Sequence, residues 1–186
     1  MTEYPLKNSK SVHPGWRWHY FAPREVLSPH GIKYLKRGNL KLQGILLDAL
    51  DVYRSELGVP LYCNHENLVF RGWRSQKENR TVEKVTDSPH IQGIAVDLSC
   101  YQMNLFDFLI KAIRFKHWRG IGIYPHKNFI HHDIRTVLRD IIIVWNGYKN
   151  KTVILDKRAW AGSDESLAFL LKKELELPSN WELTND

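Results

Sequence analysis

Two cysteines in 186 residues, Cys63 and Cys100, are too few for a disulfide framework, and neither lies in a Cys-x-x-Cys pair. Reduced thiols are therefore expected. No stretch reaches the roughly 18 uninterrupted apolar residues of a membrane span, so no membrane insertion is expected. The opening Met-Thr-Glu-Tyr-Pro-Leu-Lys has no apolar signal-peptide core, which predicts synthesis in the cytoplasm without an export signal. Internal repeats, low-complexity tracts and sustained heptads are also missing, which excludes solenoids and coiled coils. Acidic residues are in deficit: 20 Asp and Glu against 27 Lys and Arg leave a net charge of +7. Basic chains can bind nucleic acid. Here the cations are scattered, with no helix-turn-helix or zinc-finger spacing, so no nucleic-acid partner is expected. An anionic wall polymer would account for the charge equally well.

What is present suffices for one core: 43% hydrophobic residues, including seven Trp. Residues 1–17, with Pro5, Pro14, Gly15 and no periodicity, read as a surface arm. Trp16, Trp18, Tyr20 and Phe21 read as rings packing the first corner of a domain over 18–150. Residues 39–57 read as a helix, capped by Asn39 and ended by Gly58 and Pro60. Its expected apolar stripe is Leu42, Ile45, Leu46, Ala49, Leu50, Val52, Tyr53 and Leu57. Short strands are expected at 59–63 and 68–70, and a polar surface loop at 76–87. Asn104 to Trp118 reads as a second helix. Asn104 is its cap, and Leu105, Phe108, Leu109, Ala112 and Ile113 recur at helical spacing. Residues 120–124, 129–135 and 140–147 read as strands, with 151–155 as hairpin partner of the last. An extension over 151–186 carries a helix from Asp164 to Leu177, capped by Ser163 and stopped by Pro178.

The chemistry centres on Ser88-Pro89-His90-Ile91-Gln92-Gly93-Ile94-Ala95-Val96-Asp97-Leu98. Ile94 to Leu98 alternates as a strand, with Asp97 and Ala95 on one face. Gly93 lets the chain turn, so that the His90 imidazole and the Asp97 carboxylate can converge. Such a pair suits Zn²⁺, which takes His nitrogen and Asp oxygen at about 2.0–2.2 Å.

Ser-x-His-x-x-Gly-x-Ala-x-Asp over 88–97, followed by Phe129-Ile130-His131-His132-Asp133, resembles the zinc D-Ala-D-Ala carboxypeptidases and the related phage endolysin peptidases. This is the LAS type of peptidoglycan peptidase, which shares its fold with the Hedgehog signalling domain. Arg71-Gly72-Trp73-Arg74-Ser75 with Asn79 is similar to a third segment of that family, in the same order, and the likeness spans roughly 18–145. It implies an α+β fold: a small, mostly antiparallel sheet with two main helices packed on one side, plus the C-terminal helix.

The same likeness implies one Zn²⁺ per chain on His90, Asp97 and His131, with a fourth position open for water. His131 rather than His132 aligns as the ligand; on a strand it shares a face with Asp133 and Arg135, while His132 points away. Arg74 is implied as the group that holds substrate or steadies an oxyanion, and Ser88 as a second substrate contact. Relatives place an acid three residues before the ligand histidine, where this chain has Asn128. The proton-transfer role is left to His126 or Asp133, and Asp133 could instead orient a ligand. The implied activity is zinc-dependent hydrolysis of a bond in the peptidoglycan peptide stem, as carboxypeptidase or endopeptidase, in a phage or prophage setting. A holin-like partner that permeabilises the membrane would then give access to the wall, or the protein would act as a virion component. The alternative is a catalytically inactive, metal-binding module of the same fold.

Overall fold

The computed structural model describes residues 17–27, 31, 44–63, 72–82, 86–137, 140–157 and 162–181, without the side chains of Arg24 and Val82. The expected arm, Trp16, the Asn39 cap with Leu42, and the strand at 68–70 lie outside the described residues. The chain divides into two compact units between Asp97 and Leu98.

In the first unit a single turn, α1 (Pro23–Val26), precedes α2 (Gly44–Leu57). Leu46, Leu47, Ala49, Leu50 and Tyr53 form the buried face of α2. Ile45 and Val52, expected on that face, are 62% and 40% exposed, and Leu47 is buried instead. Gly58 ends the helix at φ +67, a left-handed conformation that costs glycine least. Two carboxylates on α2 hold the aromatic segment. Asp48 accepts from Trp18 Nε1 at 2.8 Å, and Asp51 accepts from His19 N at 2.7 Å. Phe21 is buried at that corner, while Tyr20 is exposed. Residues 59–63 form no strand; Tyr62 alone has a bridge.

The polar stretch after Arg74 is not a loop throughout. Gln76–Val82 is a helix, α3. Ser75 and Glu78 close a reciprocal cap: Glu78 N donates to Ser75 Oγ at 3.3 Å, and Ser75 N donates to Glu78 Oε2 at 2.8 Å. Asn79 is fully buried on this helix.

The sheet has five strands: β1 (Ala95–Leu98), β2 (Gly120–Tyr124), β3 (Phe129–Asp133), β4 (Ile141–Asn146) and β5 (Lys151–Asp156), in the order β1-β3-β2-β4-β5. β2 runs antiparallel to β3 and parallel to β4, and β4 and β5 form an antiparallel hairpin. The architecture is α+β with a mostly antiparallel sheet, as the sequence implies.

In the second unit α4 (Leu105–Arg114) packs on β2 and β3. Asn104 Oδ1 caps it, accepting from Phe106 N at 2.9 Å and Asp107 N at 2.8 Å. Period-two alternation divides the sheet residues between two faces. Ile121, Ile123, Ile130, His132, Ile142 and Val144 are fully buried on one. The register puts Gly120, Gly122, His131, Asp133 and Trp145 on the other. The C-terminal helix, α5 (Asp164–Glu174), packs on β5 and α4, and Asn146 Nδ2 donates to Leu175 O at 3.0 Å just past its end. Cys63 and Cys100 are buried and form no disulfide. Among the described residues, no helix is long and apolar enough to cross a membrane.

Candidate metal centre

Gly72 and Trp73 cross the end of α1, with Trp73 N donating to Val26 O at 2.9 Å. A Cβ at Gly72 would fall inside the contact radius of that carbonyl, so glycine is what permits the crossing. The close approach fixes the Gly72 carbonyl, which lies 2.8 Å from His90 Nδ1. A carbonyl only accepts, so Nδ1 carries the proton and Nε2 presents its lone pair.

The turn that carries His90 is built from its own motif. Ser88 is buried and its hydroxyl accepts from His90 N at 3.3 Å, while Gly93 sits at φ +72 and donates to His90 O at 3.2 Å. Ser88 thus shapes the turn. His90 Nε2 then faces Asp97 Oδ1 at 3.2 Å. With Nε2 unprotonated, two acceptors that close call for a cation between them, a proton or a metal ion. Donors 2.0–2.2 Å from one tetrahedral ion stand roughly 3.3–3.6 Å apart, close to what is found. Arg74 is fully buried on the other side of the carboxylate, with Nη2 3.9 Å from Asp97 Oδ2.

His131, 5% exposed, projects from β3 on the glycine-floored face. Its Nε2 lies 3.1 Å from Asp133 Oδ2, which leaves Nδ1 as the nitrogen it could offer to a metal ion. Asp133 is fully buried and also accepts from Arg135 N at 3.1 Å and Arg135 Nε at 2.8 Å. Burial pushes its carboxyl up, but hydrogen bonds from His131 and Arg135 outweigh burial and hold it well below the usual carboxylate range. A carboxylate so held is a poor proton acceptor and a firm orienting group. Trp145 lies against both partners: 5.2 Å from the His131 ring and 5.2 Å under the Arg135 guanidinium. Gly122 makes room for it, because a Cβ there would come within 2.5 Å of the indole.

His90, Asp97 and His131 are brought together, with one possible ligand atom from each within 4.8 Å of the others, all buried. Two imidazoles and a carboxylate suit zinc and its neighbours among divalent ions. His132 is elsewhere: its Nδ1 lies 2.9 Å from Ile130 O, and its ring packs between Phe108 and Trp118. His126 is exposed on a 3₁₀ turn over 125–127, its ring edge-on to Tyr148 at 4.9 Å. Arg135 and Trp145 were not singled out from the sequence. The Arg135 signal was its position two residues beyond Asp133 in the strand expected over 129–135, although β3 itself ends at Asp133. Trp145 had none, because its contact is made across β2.

These features define an α+β domain with a His-Asp-His donor set fit for a divalent cation. The peptidase M15 family matches residues 33–133, more than half of the chain, and the protein belongs to that family. Its members are metal-dependent peptidases. Comparison with curated proteins and with solved structures gives no match.

Proposed function

We propose that this protein is a zinc-dependent peptidase that hydrolyses a bond in the peptide stem of peptidoglycan. The buried His90–Asp97–His131 group in an M15 chain carries the reading. Zn²⁺ held there would lower the pKa of a bound water toward ~7 and polarise the scissile carbonyl. His90 and His131 are each held in one tautomer, by the Gly72 carbonyl and the Asp133 carboxylate, so both imidazoles are orientated before any ligand arrives. Arg74 keeps a permanent positive charge beside Asp97 and is the group to offset negative charge developing on the substrate. Ser88, buried with its hydroxyl accepting from His90 N, supports the site by holding the His90 turn. For proton transfer His126 is preferred to Asp133, whose two oxygens are already engaged by His131 and Arg135. The net charge of +7 is compatible with an anionic wall polymer as the setting.

The second reading is a metal-binding module without catalysis. Asn128, exposed where relatives place an acid, is what favours it.

The test pairs metal analysis with release of new amino groups from purified peptidoglycan, for the wild type and His90→Ala. One zinc per chain, with hydrolysis lost in the variant, is the expected result; mass spectrometry of the products then separates carboxypeptidase from endopeptidase. Zinc without hydrolysis selects the second reading, and a metal-free active enzyme would overturn both.

A further inference from the structure

A cavity of about 480 Å³ opens in the second unit, beside the 3₁₀ turn that leads into β3. It falls in the roughly 300–1,000 Å³ range of small-ligand sites. Leu105, Phe106 and Pro125 give it apolar walls, and Trp181 closes one side. The Trp181 ring is half-buried and rests 5.9 Å from Phe106, tilted by 52°. Asn104, Asn128 and Asn180 supply the polar part of the lining.

None of the lining residues is charged. The lining therefore offers no counter-charge to an ammonium, carboxylate or phosphate group. The carboxamides differ in availability. Asn104 is committed to capping α4. Asn128 holds its turn with main-chain atoms only: its N donates to Pro125 O at 3.2 Å, and its carbonyl accepts from Ser99 Oγ at 2.8 Å. Its φ of +50 is fixed by those bonds, and the carboxamide projects from an exposed residue. Asn180 is exposed as well. Each carboxamide both donates and accepts.

An indole wall for C–H groups, amides for hydroxyl and acetamido groups, and no charge describe a site for a neutral amino sugar. We infer that this cavity binds an N-acetylhexosamine unit of the glycan strand to which the stem peptide is attached. The inference rests on the peptidoglycan reading for the identity of the polymer, though not for the presence of the site. Position supports it: Asn128 precedes His131 by three residues, roughly 10 Å of extended chain. A sugar held there would bring its attached stem toward the ligand-bearing strand.

The test is titration of the full chain with the N-acetylglucosamine trisaccharide, followed by the Trp181 indole and Asn128 carboxamide signals in NMR. Saturable shifts of both are expected in the wild type. Asn128→Gly removes the carboxamide while tolerating the positive φ, and should weaken binding about fivefold. Trp181→Ala should weaken it about tenfold. His90→Ala should bind as the wild type does, so loss of the peptidase reading and loss of this one are distinguishable. The absence of saturable shifts in the wild type at about 10 mM saccharide, or equal affinity in Asn128→Gly and the wild type, would overturn the assignment.

Discussion

His90 donates from Nδ1 to the carbonyl oxygen of Gly72, 2.8 Å away, which leaves Nε2 facing Asp97 Oδ1 at 3.2 Å. The acceptor is held by the crossing of α1, where a Cβ at Gly72 would strike the Val26 carbonyl. Gly72→Ala should therefore do two things. It should cost about 2–4 kcal/mol of stability through backbone displacement. It should also weaken metal binding about 10–100-fold, the usual effect of disturbing the group behind a ligand. Denaturant unfolding with and without chelator measures both, and unchanged metal affinity in a destabilised variant would deny the carbonyl its orienting role.

Asp133 links His131 to Arg135, and Asp133→Asn should lose about 1.5–3 kcal/mol by leaving charge-assisted hydrogen bonds unmade. The pH dependence follows from the depressed carboxyl. Its stabilisation is complete above the unfolded value of about 3.9 and is lost only as pH falls through the lower folded value. The difference in unfolding free energy between wild type and variant should thus stay level from neutral pH to about 4 and shrink below it. A difference that faded between pH 7 and 5 would show that Asp133 is not held in this way.

Much of this was legible from the chain. Asn104 and the spacing of Phe108, Leu109, Ala112 and Ile113 forecast α4, because cap and stripe are both local. Gly93 forecast the turn between His90 and Asp97, and it does adopt positive φ. The faces of α2 were read less well: Ile45 and Val52 are apolar yet exposed, since hydrophobicity alone does not say which side of a helix meets a partner. Gly120 and Gly122 read correctly as strand, but their purpose did not. Clearance for Asp133 and Trp145 is a property of neighbouring strands, not of β2 itself.

The helix α3 was a different kind of miss, because its signal was present. Ser75 and Glu78 stand at capping-box spacing, and polar composition hid them inside an expected loop. Ser75→Ala removes the hydroxyl that accepts from Glu78 N and should cost about 1 kcal/mol. Glu78→Gln keeps an acceptor for Ser75 N and should cost less. Equal losses would mean that charge at the helix start, rather than the reciprocal hydrogen bonds, is what matters there.

Lys157 gives a second pH-dependent prediction, with a different origin. Its Nζ donates to Phe115 O at 2.6 Å and Trp118 O at 3.2 Å, just past the end of α4. Burial, reinforced by the Arg119 charge and partly offset by Asp140, pushes the ammonium down to about 8 from an ordinary 10.5. Between those values the unfolded chain binds more protons than the folded one, so folding is favoured as pH rises. The stability of the wild type relative to Lys157→Met should therefore climb from pH 8 to 10.5 and level off above it. Carbon-13 NMR of methylated lysines checks the cause directly, since the Lys157 resonance should titrate near 8 rather than at the ordinary 10.5. If every lysine titrated together, the two carbonyls would be holding the ammonium strongly enough to cancel its burial.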